Sequence, residues 1–401
     1  IEICGDTIQS IHTGSAPSSE IPWDREIDAN GDLILPGFKD AHTHSAMTFL
    51  RSYADDMPLQ DWLNKQVFPM EAKLTDEDVY WCARLAVLEY LTSGITANFD
   101  MYMHTEAVAK ASVDSGFRTV LCGSINDFVS SIPETEQDYL HFNAYDPLIS
   151  YQLGFHAEYT TSRSVLEQLS ALCHKYHTPV YTHNSETAAE VAGCVERYGM
   201  TPTVFLDYLG LFDYGGGGFH CVHMTEEDLA VCCRRGLHVV TNPASNVKLA
   251  SGIAPLQKMY SLGIPLAIGT DGPASNNCLD MFREMFLTTG LQKLATSDAA
   301  AMPADAVLAM ATTGGAHAMC LSDCDTLAPG KKADLIRIDL NQPNMQPVNH
   351  LTHNLVYSGS KQNIRMTMVN GKILYEDGIF HVGEDPARIY AKANESINRM
   401  R

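Results

Sequence analysis

No stretch of this 401-residue chain comes near the roughly 20 consecutive apolar residues that a membrane-spanning helix requires. Basic residues are scarce, 27 Lys plus Arg against 48 Asp plus Glu, which leaves a formal net charge of -21. A surface of that sign repels phosphate backbones and anionic headgroups, so no nucleic acid and no membrane is expected as a partner; solubility is the ordinary role of such charge. Between Ile1 and Thr13 no basic stretch precedes an apolar one, so no signal peptide is expected. The chain starts without an initiator Met, which leaves the completeness of its N-terminus open. Its eleven cysteines follow no disulfide framework. Several, Cys82, Cys173 and Cys232 among them, fall in apolar patterns of helical spacing, as reduced core thiols of a cytoplasmic protein do. Cys320 and Cys324 have no second Cys or His pair nearby, which argues against a structural metal there. Repeats and low-complexity segments are missing too.

What is present reads as a large α/β unit with a smaller companion. Hydrophobic residues make up 45% and charged residues 19%, ordinary for a chain that buries a sizeable core. Short apolar runs alternate with helical patterns: Leu33–Phe38, Ile95–Phe99, Thr119–Cys122, Ser150–Phe155, Pro179–Tyr181, Gly218–Val222, His238–Val240 and Pro265–Ile268. Helices are predicted between them, for instance Asp76–Thr92, with acids in its first turn and Gly94 after its end, and Ser164–Tyr176. Eight strands alternating with helices predict a (β/α)₈ barrel, whose chemistry sits at the C-terminal ends of the strands. After Pro329-Gly330 the pattern changes to β-rich segments: Ala333–Ile338, Asn354–Tyr357, Arg365–Val369 and, beyond the Asn370-Gly371 turn, Lys372–Tyr375. The first thirty residues also read as short strands that can pair with this tail.

Polar residues recur at the strand ends. His42 and His44, in Asp40-Ala-His-Thr-His, follow an apolar strand. Residues two apart on a strand point the same way and can grip one ion. Sixteen histidines produce roughly one such pair by accident, so the strand context is what gives this one weight. His183 ends one later strand, His220 another, and Asp271 a third. Singly, each is ordinarily a satisfied histidine or a capping aspartate. Together, three imidazoles and a carboxylate around an open position are what a divalent ion needs to bring bound water toward pKa 7. Glu186, three residues after His183 and near a helix start, could carry a proton beside that ion; alone it would be a helix-terminal acid. His223, His104, His174, His177 and His317 read as structural or surface histidines.

The segment Pro36-Gly-Phe-Lys-Asp-Ala-His-Thr-His-Ser-Ala-Met-Thr-Phe-Leu-Arg51 resembles the first-strand signature of the amidohydrolase superfamily. Ala54–Leu63, Phe68–Leu74, Thr182-His-Asn-Ser-Glu-Thr187, His220-Cys-Val-His223, Asn242–Leu249 and Gly269–Asn277 resemble its branch of methylthioadenosine/S-adenosylhomocysteine deaminases, with 5′-deoxyadenosine deaminases and triazine chlorohydrolases nearby. The resemblance covers nearly the whole chain. It implies a distorted (β/α)₈ TIM barrel over residues 35–325, flanked by a small β-sandwich built from 1–34 and from 326–401, the latter with a terminal helix. It implies a single Zn2+, or Fe2+ in some relatives, held by His42, His44, His183 and Asp271. Glu186 would be the proton shuttle to the adenine ring. His220 would hydrogen-bond the attacking oxygen or the tetrahedral adduct, and Asp271 would help deprotonate the water. Trp62 would line the pocket, Glu71 would accept from ribose hydroxyls, and His156 would face the nucleoside. Relatives often form dimers or tetramers, so a homo-oligomer is left open.

Two departures from that branch bear on substrate. Its members carry arginines after the third strand that grip an amino-acid carboxylate, whereas no arginine occurs here between Thr119 and Ser162. That counts against S-adenosylhomocysteine. Glu158 stands where relatives usually have proline, and an extra acid beside the pocket would favour a neutral or cationic ligand. The expected reaction is hydrolytic deamination of a 5′-modified adenosine: water adds to the amino-bearing ring carbon and ammonia leaves. The alternatives are deamination of a free base or pterin, dechlorination of a triazine, and a non-catalytic scaffold. The Gly215–Gly218 run has no functional account.

Overall fold

The computed structural model describes residues 1–14 and 22–401. The chain opens with a hairpin, β1 (Glu2–Cys4) and β2 (Thr7–Ser10), then enters β3 (Leu33–Pro36). Eight parallel strands follow in simple chain order: β4 (Phe38–Thr43), β5 (Ile95–Asp100), β6 (Arg118–Cys122), β7 (Ile149–Ala157), β8 (Val180–Asn184), β9 (Gly216–His220), β10 (His238–Thr241) and β11 (Leu266–Ile268). Helices cover them, so β4, β5, β6, β8 and β9 are buried along their full length. Burial on both faces is what crossover helices impose on a parallel sheet, and here it takes in polar side chains such as Asp40, Thr96, Asn98 and Asp100.

The sheet nearly closes into a barrel. Its edge strands β4 and β11 lack a regular ladder, and a main-chain bond together with the Asp40 side chain stitches the seam. Asp271 N–H donates to His42 O at 2.9 Å. The buried Asp40 carboxylate accepts from Thr270 N–H (2.8 Å) and Thr270 Oγ1 (2.6 Å). Ala97, Phe99, Tyr181, Phe219 and Val240 fill the interior. The helical turn Gly315–Ala318 packs on β4, and Tyr181 Oη donates to Ala318 O at 2.6 Å.

A second sheet is antiparallel and draws on both ends of the chain, in the order β15 (Ile379–Phe380), β14 (Lys372–Glu376), β13 (Ile364–Val369), β12 (Leu335–Ile338), β3. The predicted strand Leu33–Phe38 is therefore divided between two sheets. Leu33–Pro36 pairs with β12, and the barrel begins at Phe38. The switch occurs at Gly37, where a Cβ would lie 2.1 Å from Thr96 Cγ2. Hydrophobicity does not falter across that residue, so the pattern carried no sign of the change. The tail strand predicted at Asn354–Tyr357 is instead a helical segment, Asn354–Ser358, packed on the helix Met281–Thr296. Short apolar runs fit either structure. The terminal helix Pro386–Met400, capped by Asp385, docks on the helix Asp76–Thr92. Among the described residues no helix is long and apolar enough to cross a membrane.

Candidate active site

Five side chains converge at the C-terminal rim. His42 lies in β4 and His44 just beyond it; His183 is in β8, His220 ends β9, and Asp271 follows β11. Ligand atoms of His42, His183, His220 and Asp271 lie within 4.8 Å of one another. His44 joins them through Nε2, 3.2 Å from Asp271 Oδ1, while His42 Nε2 is 3.6 Å from the same oxygen. The backbone bends sharply to present these groups. Ser185, His220, Cys221 and Asp271 all hold positive φ, between 48° and 70°, a cost of order 1–3 kcal/mol each that persists only where surrounding structure enforces it.

Main-chain and amide oxygens set the tautomers. Nδ1 of His44 donates to Met101 O (2.5 Å), that of His183 to His156 O (2.6 Å), and that of His220 to Asn246 Oδ1 (2.8 Å). Each acceptor fixes the proton on Nδ1 and turns Nε2 toward the cluster, the arrangement that orients metal-ligating histidines. Asp271 is divided in the same way. Its Oδ2 accepts from Ser245 Oγ (2.6 Å) and Ser275 Oγ (2.8 Å), which leaves Oδ1 to the imidazoles.

This donor set fits a divalent cation. Both ring nitrogens of the fully buried His42 lack a hydrogen-bond partner, which is expensive unless one of them serves as a ligand. Burial, reinforced by the nearby His183 and His44, holds His42 far below its usual pKa and therefore neutral, as a ligand must be. His183 is held down likewise, by burial and then by His156. Burial also works against charge on His44, but its hydrogen bond and attraction to Asp271 carry it up to about 9. A bound cation would take the place of that proton.

Beside the cluster lies Glu186, whose Oε2 is 4.0 Å from His220 Nε2 and whose Oε1 accepts from Ser251 Oγ at 3.1 Å. Its backbone N–H and that of Ser185 both donate to Glu190, each at 2.8 Å. A cavity of about 570 Å³ opens from this corner, within the range of small-molecule sites. Trp62, Glu71, His156, Tyr102, Met103 and Phe68 line it, with Phe128 and Val129 on the loop after β6. Glu71 is buried and accepts from Tyr102 Oη at 2.8 Å. His156 is half-buried, its ring centroid 5.0 Å from that of His183. No Arg or Lys lines the cavity among the described residues.

Residues 33–374 match the amidohydrolase family. This chain belongs to that family. It is 41% identical over 380 residues to the 5-methylthioadenosine/S-adenosylhomocysteine deaminase of Caldanaerobacter subterraneus subsp. tengcongensis, covering 93% of this chain and 87% of that one. The fold is similar to the crystal structure of an adenosine deaminase from Xanthomonas campestris with bound zinc, at TM-score 0.87 and 34% identity, covering 92% of this chain and 86% of that one. The zinc complex of atrazine chlorohydrolase from Arthrobacter aurescens superposes at TM-score 0.89 over 98% of this chain and 94% of that one. At 22% identity it speaks for the fold alone.

The amidohydrolase differs from the sequence expectations in one pocket residue. Glu158 is buried away from the cavity, and its carboxylate pairs with Arg197 through Nε (3.2 Å) and Nη2 (2.5 Å). The acid is neutralised by a partner 39 residues distant in sequence, so it adds no charge to the pocket. The Gly215–Gly218 run has a packing origin. Gly216 has φ +114°, and a Cβ there would lie 2.0 Å from Val180 O. Sequence reasoning missed Glu190, Ser245, Asn246, Ser251 and Ser275. Asn246 and Ser245 lie in the Asn242–Leu249 motif, in the short helix Pro243–Lys248, and Ser275 in Gly269–Asn277, but serines and asparagines beside turns and helix ends ordinarily read as caps.

Proposed function

We propose that this amidohydrolase is a metal-dependent hydrolytic deaminase of adenosine-type nucleosides whose 5′ group carries no negative charge: methylthioadenosine, 5′-deoxyadenosine or adenosine. One observation carries the reading. A single cavity holds the His/Asp cluster with Glu186 and a second buried acid, Glu71, with no Arg or Lys among its described lining residues. The names of the Caldanaerobacter and Xanthomonas relatives support the same substrate class.

In this reading His42, His44, His183 and Asp271 hold the ion, and zinc suits their nitrogen and oxygen donors. Bound there, such an ion lowers the pKa of water toward 7 and supplies a nucleophile at neutral pH. Glu186 takes a proton from the attacking water and delivers it to a ring nitrogen. Asp271 helps to draw the proton off. His220, its proton held on Nδ1 by Asn246, accepts a hydrogen bond at Nε2 from the attacking water as the oxygen adds to the amino-bearing carbon, and ammonia leaves. In the same cavity Glu71 accepts from the ribose hydroxyls, a role without purpose for a free base. Trp62 forms a wall, and His156 faces the nucleoside; burial, then the nearby His44, lowers its pKa to about 4, so it stays neutral. A reducing compartment, the cytoplasm, belongs to the same reading, since all eleven cysteines are free thiols.

The test is a panel of methylthioadenosine, 5′-deoxyadenosine, adenosine, S-adenosylhomocysteine, guanine and cytosine. It is followed by loss of adenine absorbance and by ammonia release. Methylthioadenosine is expected to exceed S-adenosylhomocysteine in kcat/KM by about 10-fold or more, because a carboxylate without its cation forfeits a charged hydrogen bond. Turnover confined to guanine or cytosine would replace this reading with a free-base deaminase.

A further inference from the structure

Glu186 is one member of a closed circuit. Ser251 Oγ donates to its Oε1 at 3.1 Å, and its Oε2 stands 4.0 Å from His220 Nε2. The Ser251 N–H donates to Asn246 O at 2.9 Å, and Asn246 Oδ1 accepts from His220 Nδ1 at 2.8 Å. The path thus leaves the imidazole from one nitrogen and returns to face the other.

We propose that Ser251 is a positioning residue for proton transfer, whose hydroxyl occupies Oε1 of Glu186 and so assigns the proton to Oε2, the oxygen turned toward His220 and the ligand cluster. The terminal torsion of a glutamate is broad and nearly two-fold, so nothing within Glu186 itself selects an oxygen or a plane. A hydroxyl fixed in place removes that freedom. Ser251 is fixed by its own surroundings. His223 Nε2 donates to its carbonyl at 2.8 Å. The flanking Ala250 and Gly252 hold φ of +55° and +129°, and a Cβ on Gly252 would press within 2.8 Å of Val222 Cγ1. The main chain of Glu186 is clamped by Glu190. Carboxylate and hydroxyl therefore meet because both loops are held, and His223, which does not line the cavity, ties one to the other: its N–H donates to Ser185 O at 2.9 Å and its Nε2 to Ser251 O.

This inference rests on the deaminase reading, and the experiment separates the two. Wild type, Ser251→Ala, Ser251→Cys, Glu186→Gln and the double variant Ser251→Ala/Glu186→Gln are compared as metal-loaded enzymes for kcat, KM, metal content and melting temperature. Ser251→Ala is expected to lower kcat about 10- to 100-fold, the scale of a lost hydrogen bond to a charged group. KM should stay within about two-fold, with metal content unchanged. Ser251→Cys keeps the volume but donates weakly, and should fall with the alanine variant. In the Glu186→Gln background Ser251→Ala should cost little more, because the group it orients no longer carries a proton. A silent Ser251→Ala, full recovery by cysteine, or undiminished additivity in the double variant would overturn the positioning role. Near-wild-type turnover of Glu186→Gln would instead overturn the shuttle and with it the reading beneath.

Discussion

Burial pushes the Glu71 carboxyl up to about 7 from an ordinary 4.5, although the Tyr102 hydroxyl donates to it. Between those values the folded chain holds a proton that the unfolded chain has released. The stability this provides is fully present below about pH 4.5 and is lost as pH rises through 7. Glu71→Gln removes that dependence. Its melting temperature, measured by differential scanning fluorimetry, should gain on wild type steadily from about pH 5 to about pH 8, while KM for a nucleoside rises. His183→Ala should abolish metal retention by elemental analysis. Glu186→Gln should keep the metal and lose turnover by about 10²- to 10⁴-fold. The convergence of His42, His44, His183, His220 and Asp271 was legible in sequence because each follows an apolar run that locates it on a strand end. The residues that aim them were not. Ser245, in the short helix Pro243–Lys248, and Ser275, in a turn, tether one oxygen of Asp271, and Glu190 is a first-turn acid whose carboxylate turns back onto the preceding main chain. None of these leaves a periodic mark.

At the scale of elements, strands buried on both faces announced themselves, and the helix Asp76–Thr92 was legible to its ends through its first-turn acids and the glycine beyond it. Failures came where hydrophobicity is indifferent to geometry. Leu33–Phe38 crosses between sheets without a polar break, and Asn354–Ser358 coils rather than extends. The glycines of β9 were visible but unreadable, since the reason for them lies on neighbouring strands. Gly216 leaves no room beside Val180, and at Gly217 a Cβ would lie 2.3 Å from His238 O. Gly216→Ala combines a disfavoured φ with a backbone clash. It should destabilise by about 3 kcal/mol or more, checked by urea unfolding. The displaced strand carries His220, so turnover should fall with stability.

Across the molecule, one buried ion pair joins the barrel to the antiparallel sheet. Arg118, at the start of β6, meets Asp334 through Nε (2.8 Å) and Nη2 (3.1 Å), and Asn370 completes the junction from both its side chain (3.1 Å) and its main chain (2.7 Å). Removing one partner strands a charge, so Arg118→Met should cost about 3–5 kcal/mol in chemical unfolding. Activity per folded molecule should hold, since the junction lies at the strand end opposite the catalytic rim. No periodicity links residues 216 positions apart, so this pairing was beyond what the sequence could disclose.

The seam between β4 and β11 has its own consequence for biosynthesis. Asp40 grips Thr270 across 230 residues, and the neighbouring Asp271 binds back to His42. During translation, then, the first two histidines emerge long before the segment that completes their surroundings. Any nascent chain that has not yet reached Asp271 carries the start of a catalyst without its last carboxylate, and competence arrives only when the barrel's two edges meet.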